Sequence, residues 1–357
     1  MHLDPPQGAW PHDPSGFLRS LRDKADLVRQ GHQAGRAAAS GPLRAQGLLF
    51  SGMGFSGVTA NLVKDAATRA LDIPFTIVKH YQFPHHVRRD WLTLAISYSG
   101  ETEETLAVVA DARRSGVPIT AFSQAGTRLA GLAGVNVPQP PGYQPRAALG
   151  HSWFSLLGYL EATGLLNQRV PVDACVAAIR EVDHDCGPEV PEARNEAKQL
   201  ARRLVERIPK IYATPSFYGV GLEFRGMLNE NAKKIADVDL VPECNHNDLS
   251  GWGGDSANRR HFAVLALSHA GQNPQMRKRL DFMEARYREW GVPWTSKVFP
   301  PIHSFPAHVV EQCRAIQLLD YTSFYIAALK GEDPASIPEI QGLKEHLRGT
   351  GAFPGQP

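Results

Sequence analysis

The sequence predicts an α/β protein of two successive units, each a parallel sheet covered by helices on both faces. Short apolar runs alternate with stretches of helical period, and this alternation occurs twice along the chain. A polar stretch, Asp183–Glu192, holding Gly187, Pro188 and Pro191, separates the two sets and reads as a linker. At 357 residues the chain is long enough for two domains of ordinary size.

Taken in order, residues 1–16 are polar, rich in Pro and His, and read as a loose tail. Ser15 is placed to cap a helix with Phe17, Leu18, Leu21, Leu27 and Val28 on one face. The first domain, 17–182, has strand candidates at Leu48–Met53, Phe75–His80, Leu92–Tyr98, Pro118–Ser123 and Val135–Pro138. Its helical patterns lie at Val58–Ala70, Glu103–Ser115 and Ala147–Thr163. The second domain, 193–357, opens with helix Ala193–Arg207 and strand Lys210–Thr214. Helix Leu222–Ile235, strands Asp239–Pro242 and Ala263–Ser268, helix Pro274–Trp290, strand Pro293–Phe299 and helix Ala307–Leu329 follow.

Composition narrows the function. A formal net charge of +2 gives no global basic field for nucleic acid, so an anionic substrate would need a local cluster of donors. The four cysteines form no C-x-x-C pair and fit a reducing compartment. No apolar run is long enough to span a bilayer and the start carries no apolar signal region, so a cytoplasmic protein is expected.

Two loops carry chemistry. Gly52-Met53-Gly54-Phe55-Ser56-Gly57 lies between a strand and a helix with G-x-G-x-x-G spacing. A dinucleotide site also wants an acidic residue at the end of the next strand, and here that strand ends in Lys79-His80, which argues against NAD and leaves NADP open. The second loop, Ser97-Tyr98-Ser99-Gly100-Glu101-Thr102, sets three hydroxyls around a glycine at a strand-to-helix turn. Together with the amides of the following helix it reads as a phosphate cradle rather than a plain helix cap.

Ser-x-Ser-Gly-(Glu/Asn)-Thr-x-(Glu/Asp)-Thr resembles the phosphate loop of sugar isomerase (SIS) domains. Leu228-Asn229-Glu230-Asn231-Ala232-Lys233, Pro242-Glu243-Cys244-Asn245-His246-Asn247-Asp248 and Gln144-Pro145-Arg146-Ala147-Ala148 are similar to blocks of the bifunctional phosphoglucose/phosphomannose isomerases. So are Asp320-Tyr321-Thr322-Ser323, Gly331-Glu332-Asp333-Pro334 and Ile340-Gln341-Gly342-Leu343-Lys344. The resemblance runs from about Gly47 to Leu347 and implies two SIS domains, each an αβα sandwich.

By that resemblance Ser97, Ser99 and Thr102, helped by Ser56, bind the phosphate of a sugar 6-phosphate, with Gly54, Phe55 and Gly100 close to the substrate and Glu101 turned away. Aldose–ketose isomerisation through a cis-enediol needs a carboxylate that moves a proton between C1 and C2, and Glu230 is the candidate. The resemblance assigns ring opening to His246, reaching in from a neighbouring subunit, and to Lys344, and enediolate stabilisation to Arg146. It implies a homodimer with shared sites and no cofactor or metal. His85, His86, His303 and His308 lack partners at metal-ligand spacing. Two other functions compete: a non-catalytic sugar-phosphate sensor, for which Glu230, His246 and Arg146 would be superfluous, and an NADP-dependent dehydrogenase, which leaves the hydroxyl loop unexplained. Two departures stand out. Phe55 replaces a glycine of the family's G-M-G-G-S-G and is expected to narrow or reshape the site, and Ala270–Pro306 matches no family motif.

Overall fold

The computed structural model of the chain describes residues 3–4, 10–68 and 70–349. Its first half holds strands β1 (Gly47–Ser51), β2 (Phe75–Val78), β3 (Trp91–Ile96), β4 (Ile119–Ser123) and β5 (Val135–Pro138), in the order β2-β1-β3-β4-β5. All pairings are parallel, and β1 and β4 are buried at every position because helices cover both faces. The second half repeats the plan with β6 (Ile208–Ala213), β7 (Asp237–Leu240), β8 (Phe262–His269) and β9 (Trp294–Phe299), parallel in the order β7-β6-β8-β9. The buried Lys210 of β6 is tolerated there because Asp237 and Asp239 of β7 pair with its ammonium.

Helices α1 (Phe17–Arg22) and α2 (Lys24–Ala38) precede the first sheet; α3 (Gly54–Ala67), α4 (Glu103–Arg114) and the short α5 (Arg128–Leu132) connect its strands; α6 (Leu149–Ala162) and α7 (Val172–Cys186) follow it. In the second half α8 (Glu196–Leu204) leads in, α9 (Tyr218–Asn231), α10 (Asp248–Gly254) and α11 (Pro274–Glu289) connect strands, and α12 (Phe305–Lys330) and α13 (Pro338–Gly349) close the chain.

Several sequence expectations need correction. Asp13, not Ser15, serves the first helix: its carboxylate accepts the N–H groups of Phe17 at 2.6 Å and Leu18 at 2.9 Å. That helix also breaks at Asp23 into α1 and α2. The tail is not loose where it is described. Leu3 is buried, Asp4 pairs with Lys198, and Trp10 packs edge-on against Phe324 with ring centroids 5.2 Å apart. Residues 1–2 and 5–9, and 350–357 at the other end, lie outside the described residues. Helix α7 runs through Asp183 to Cys186 and shortens the expected linker, and α8 starts at Glu196 because the Asn195 side chain accepts the Lys198 N–H at 3.0 Å.

The two sheets share one core. Helix α12 is buried nearly all round and packs against both halves. Its Gln312 donates to the Leu62 carbonyl at 3.2 Å, its Gln317 to the Leu21 carbonyl at 3.0 Å, and its Asp320 pairs with the buried Lys24 of α2. A second seam joins α3 to α9. Gly226 of α9 faces the Phe55 ring, since a Cβ there would lie 2.8 Å from Phe55 Cζ, and Gly219 faces the backbone of Leu62, where a Cβ would lie 2.9 Å from its nitrogen. Both pairs are seven residues apart on their helices, so the helices run antiparallel with glycines opposite bulk. The start of α3 therefore lies beside the end of α9.

Candidate active site

The sheet order reverses direction between β1 and β3, the position in an open α/β sheet where the loops after the strands leave a crevice. Both sequence-predicted loops leave the sheet there. Gly52 lies so close to the end of β3 that a Cβ would fall 2.8 Å from the Ile96 carbonyl oxygen, so the loops touch only because it is glycine. In the second loop the Ser97 hydroxyl bonds that of Thr102 at 2.8 Å and accepts the Gly100 N–H at 3.1 Å. Gly100 takes φ +68° and turns its bare Cα toward Thr127. Ser99 stands exposed at the tip, and its hydroxyl accepts the Glu101 N–H at 3.3 Å. The Glu101 carboxylate accepts the Arg128 N–H at 2.9 Å, so this negative group is anchored on the far side. The loop thus offers Ser99, Thr102 and the first turn of α4 to an anion. Ser56 sits in the first turn of α3, beside the neighbouring loop.

The antiparallel α3–α9 seam brings the end of α9 to this edge, and Arg146, just before α6, meets it. Arg146 is 1% exposed, and each of its guanidinium nitrogens has a partner. Nε donates to Asn231 Oδ1 at 2.7 Å, Nη1 to Glu230 Oε2 at 2.9 Å and Nη2 to the Pro334 carbonyl at 2.6 Å. The Phe17 ring lies below the guanidinium carbon at 5.1 Å. Burial raises the pKa of Glu230 above its ordinary value, while Arg146 and then Lys344 pull it back down. The result is a carboxylate of increased basicity, held by a fixed cation and still partly open.

The chain turns sharply after Glu230. Lys233 adopts φ +47°, and its ammonium donates to the Glu230 carbonyl at 2.9 Å. Lys330 donates to the carbonyls of Ala232 and Lys233 at 2.6 and 2.8 Å, so the negative end of α9 faces two lysines.

Within this chain Arg146, Glu230 and Lys344 come together, and the two loops come together on adjacent strands. His246 does not join them. It lies exposed in a short 3-10 turn, Glu243–His246, after β7, and its ring has no hydrogen bond or ion pair among the described residues. The Phe55 expectation changes in kind. Its ring is 7% exposed and fills the gap left by Gly226 in the helix seam, so its bulk is absorbed by packing. Sequence reasoning assigned no role to Asn231, which holds Arg146 and itself donates to Ser323 Oγ at 2.9 Å, although it stands in the same block as Glu230. Lys79 donates to Asn61 of α3 and is committed to the fold. Among the described residues no group of three or more His, Cys, Asp or Glu side chains could hold a metal ion, and no helix is long and apolar enough to cross a membrane.

Two parallel αβα units back to back, with a hydroxyl loop at the first unit's switch point, define the SIS class of sugar-phosphate proteins. Residues 193–347 match the bacterial phospho-glucose isomerase C-terminal SIS domain. The chain is 31% identical over 308 residues to the bifunctional phosphoglucose/phosphomannose isomerase of Caldicellulosiruptor bescii, covering 84% of this chain and 89% of that one. It is 28% identical over 308 residues to that of Aquifex aeolicus, covering 85% and 91%. A glucose-6-phosphate isomerase like protein from Thermus thermophilus superposes with a TM-score of 0.62 at 19% identity over 98% of this chain and 99% of that one, a likeness of fold. The chain belongs to the bifunctional phosphoglucose/phosphomannose isomerase family.

Proposed function

We propose that the protein is an aldose–ketose isomerase that interconverts glucose 6-phosphate, and mannose 6-phosphate, with fructose 6-phosphate. The observation that carries this reading is the buried Arg146 guanidinium bonded to the Glu230 carboxylate, whose basicity is raised by burial. The substrate phosphate sits on Ser99, Thr102 and the α4 amides, with Ser97 bracing the loop and Ser56 beside it. Glu230 takes the proton from C2 of the open-chain aldose. The C–H electrons form the C1–C2 double bond, and the charge that gathers on the oxygens faces Arg146. A proton passes from the C2 hydroxyl to the C1 oxygen, and return of the abstracted proton to C1, as C2 becomes the carbonyl, gives the ketose. Lys344 adds positive charge near Glu230, which suits the ring-opening step.

His246, exposed and unbonded, supports an active homodimer in which each copy lends this histidine to the other's site to shuttle the ring-opening proton. The absence of a membrane-spanning helix among the described residues and the free cysteines are consistent with a cytoplasmic enzyme. The test is turnover of fructose 6-phosphate by purified protein without added cofactor, followed by a coupled assay. Glu230→Gln keeps the side-chain size and should lower kcat by about 10²–10⁴-fold with little change in substrate affinity. Near-native turnover in that variant would overturn the assignment.

A further inference from the structure

The seam between α3 and α9 carries an internal two-fold relation. The helices have equal length, 14 residues each, and two matched contacts: Phe55 with Gly226, and Gly219 with Leu62. A single shift of 164 positions carries Phe55 to Gly219 and Leu62 to Gly226, so each contact is the image of the other. The sheets agree, since β2-β1-β3-β4 runs parallel in plan to β7-β6-β8-β9. Under this relation the loop after β1 maps to that after β6, the hydroxyl loop after β3 to that after β8, and the segment before α6 to that before α12.

Those mapped segments line a single cleft of about 870 Å³ at the opposite end of the seam. Thr214 and Ser216 come from the loop after β6, His269, Gln272 and Asn273 from the loop after β8, and His303 and Ser304 from the start of α12. Ala66 is the image of Glu230 under the same shift, and Lys64 and Asp65 stand beside it near the end of α3.

The cleft is built for an anion. The Ile302 N–H donates to His269 Nδ1 at 3.3 Å, which fixes the proton of the neutral ring on Nε2. His269 is 7% exposed, and this Nε2–H has no partner among the described residues. Gln272 lines the same wall, and its carboxamide NH2 can donate to an anion. The N-termini of α11 and α12, helices of 16 and 26 residues, open at the same place. Among the described lining residues, Lys64 and Asp65 are the ones outside the histidines that ordinarily carry charge. The Asp65 carboxylate is turned onto the Gly219 N–H at 2.5 Å, and burial raises its pKa. The histidines do not converge as a metal set. Among the described residues lining the cleft no arginine matches Arg146, and Asp65 is tied down, so they form no proton-transfer pair.

We propose that this cleft is a second, non-catalytic binding site for a small phosphate ester of the sugar-phosphate kind, the two-fold image of the catalytic cradle. The site is tested by titration calorimetry of the full chain with glucose 6-phosphate, in a Glu230→Gln background that suppresses turnover. Two binding events per chain are expected. Adding Lys64→Ala and His303→Ala should weaken one of them about tenfold or more. Adding Ser99→Ala and Thr102→Val should weaken only the other, which separates this proposal from the assignment of the catalytic site. A single event that Ser99→Ala and Thr102→Val abolish would overturn the proposal, as would two events unmoved by the Lys64 and His303 changes. The native chain gives an independent readout: its His269 and His303 ring signals in NMR should shift when inorganic phosphate is added, and unmoved signals would overturn the site without any variant.

Discussion

Ser97 and Ser99 sit two positions apart and do different work. Ser97 is buried and ties Thr102 and Gly100 into one turn, whereas Ser99 is exposed at its tip. Ser99→Ala should therefore weaken a sugar-phosphate inhibitor by about 1.5–3 kcal/mol, the worth of a hydrogen bond to a charged group, and leave thermal stability alone. Thr102→Val removes the proposed phosphate contact and the bond to Ser97, so it should cost both affinity and melting temperature. Equal inhibitor affinity in the native protein and both variants, measured by calorimetry, would remove the phosphate from this loop. At this scale the turn itself was legible, because hydroxyls around a glycine after a strand mark it in the sequence. Asn231 escaped notice because its task, holding Arg146, exists only once distant segments meet.

Among the elements, α12 was the hardest to read. Its ends were placed within two residues of those observed, but a helix buried nearly all round has no polar face to say what it packs against. Its contacts with both sheets, and hence the single core, come from side chains such as Gln312 and Gln317 that look like surface residues in sequence. The same crowding buries Glu223 of α9 with no hydrogen bond to either carboxylate oxygen, and burial pushes its pKa up to about 8. Between the unfolded value and about 8 the native protein holds a proton that the unfolded chain has released. Stability should thus fall as pH rises through that window, with Lys24, the cation that pulls the Glu223 pKa down, setting how steeply. Melting temperatures across the window should show this slope, and Glu223→Gln should reduce it, leaving the share of Asp65, whose pKa burial also raises. An unchanged slope in the variant would place the titrating group elsewhere.

For the whole molecule, the strand plan was legible from alternating runs, since parallel strands covered on both faces read as unbroken apolar segments. The relation between the halves was not, because packing of α3 on α9 depends on Gly219 and Gly226, whose sequence neighbourhood gives no hint of a partner more than a hundred residues away. The stretch Ala270–Pro306, silent in sequence, supplies eight of the twenty residues that line the proposed second cleft. Assembly has its own test. Glu230→Gln and His246→Ala proteins should each be nearly inactive, yet mixing them should restore part of the activity as subunits exchange, because some mixed dimers contain one intact site. No recovery, with exchange demonstrated by differently labelled chains, would mean that His246 serves no neighbouring site.

The seam also acts as a ruler. With the phosphate on the first-half loop and Glu230 at the reacting carbons, as proposed, the reach between them is set by how α3 and α9 mesh. A ring lodged opposite a bare glycine is a stop that fixes this reach without touching the sugar. Chain length in the substrate is then measured by the interior of the protein, and a change in the stop, far from any bound atom, would recalibrate which sugars fit.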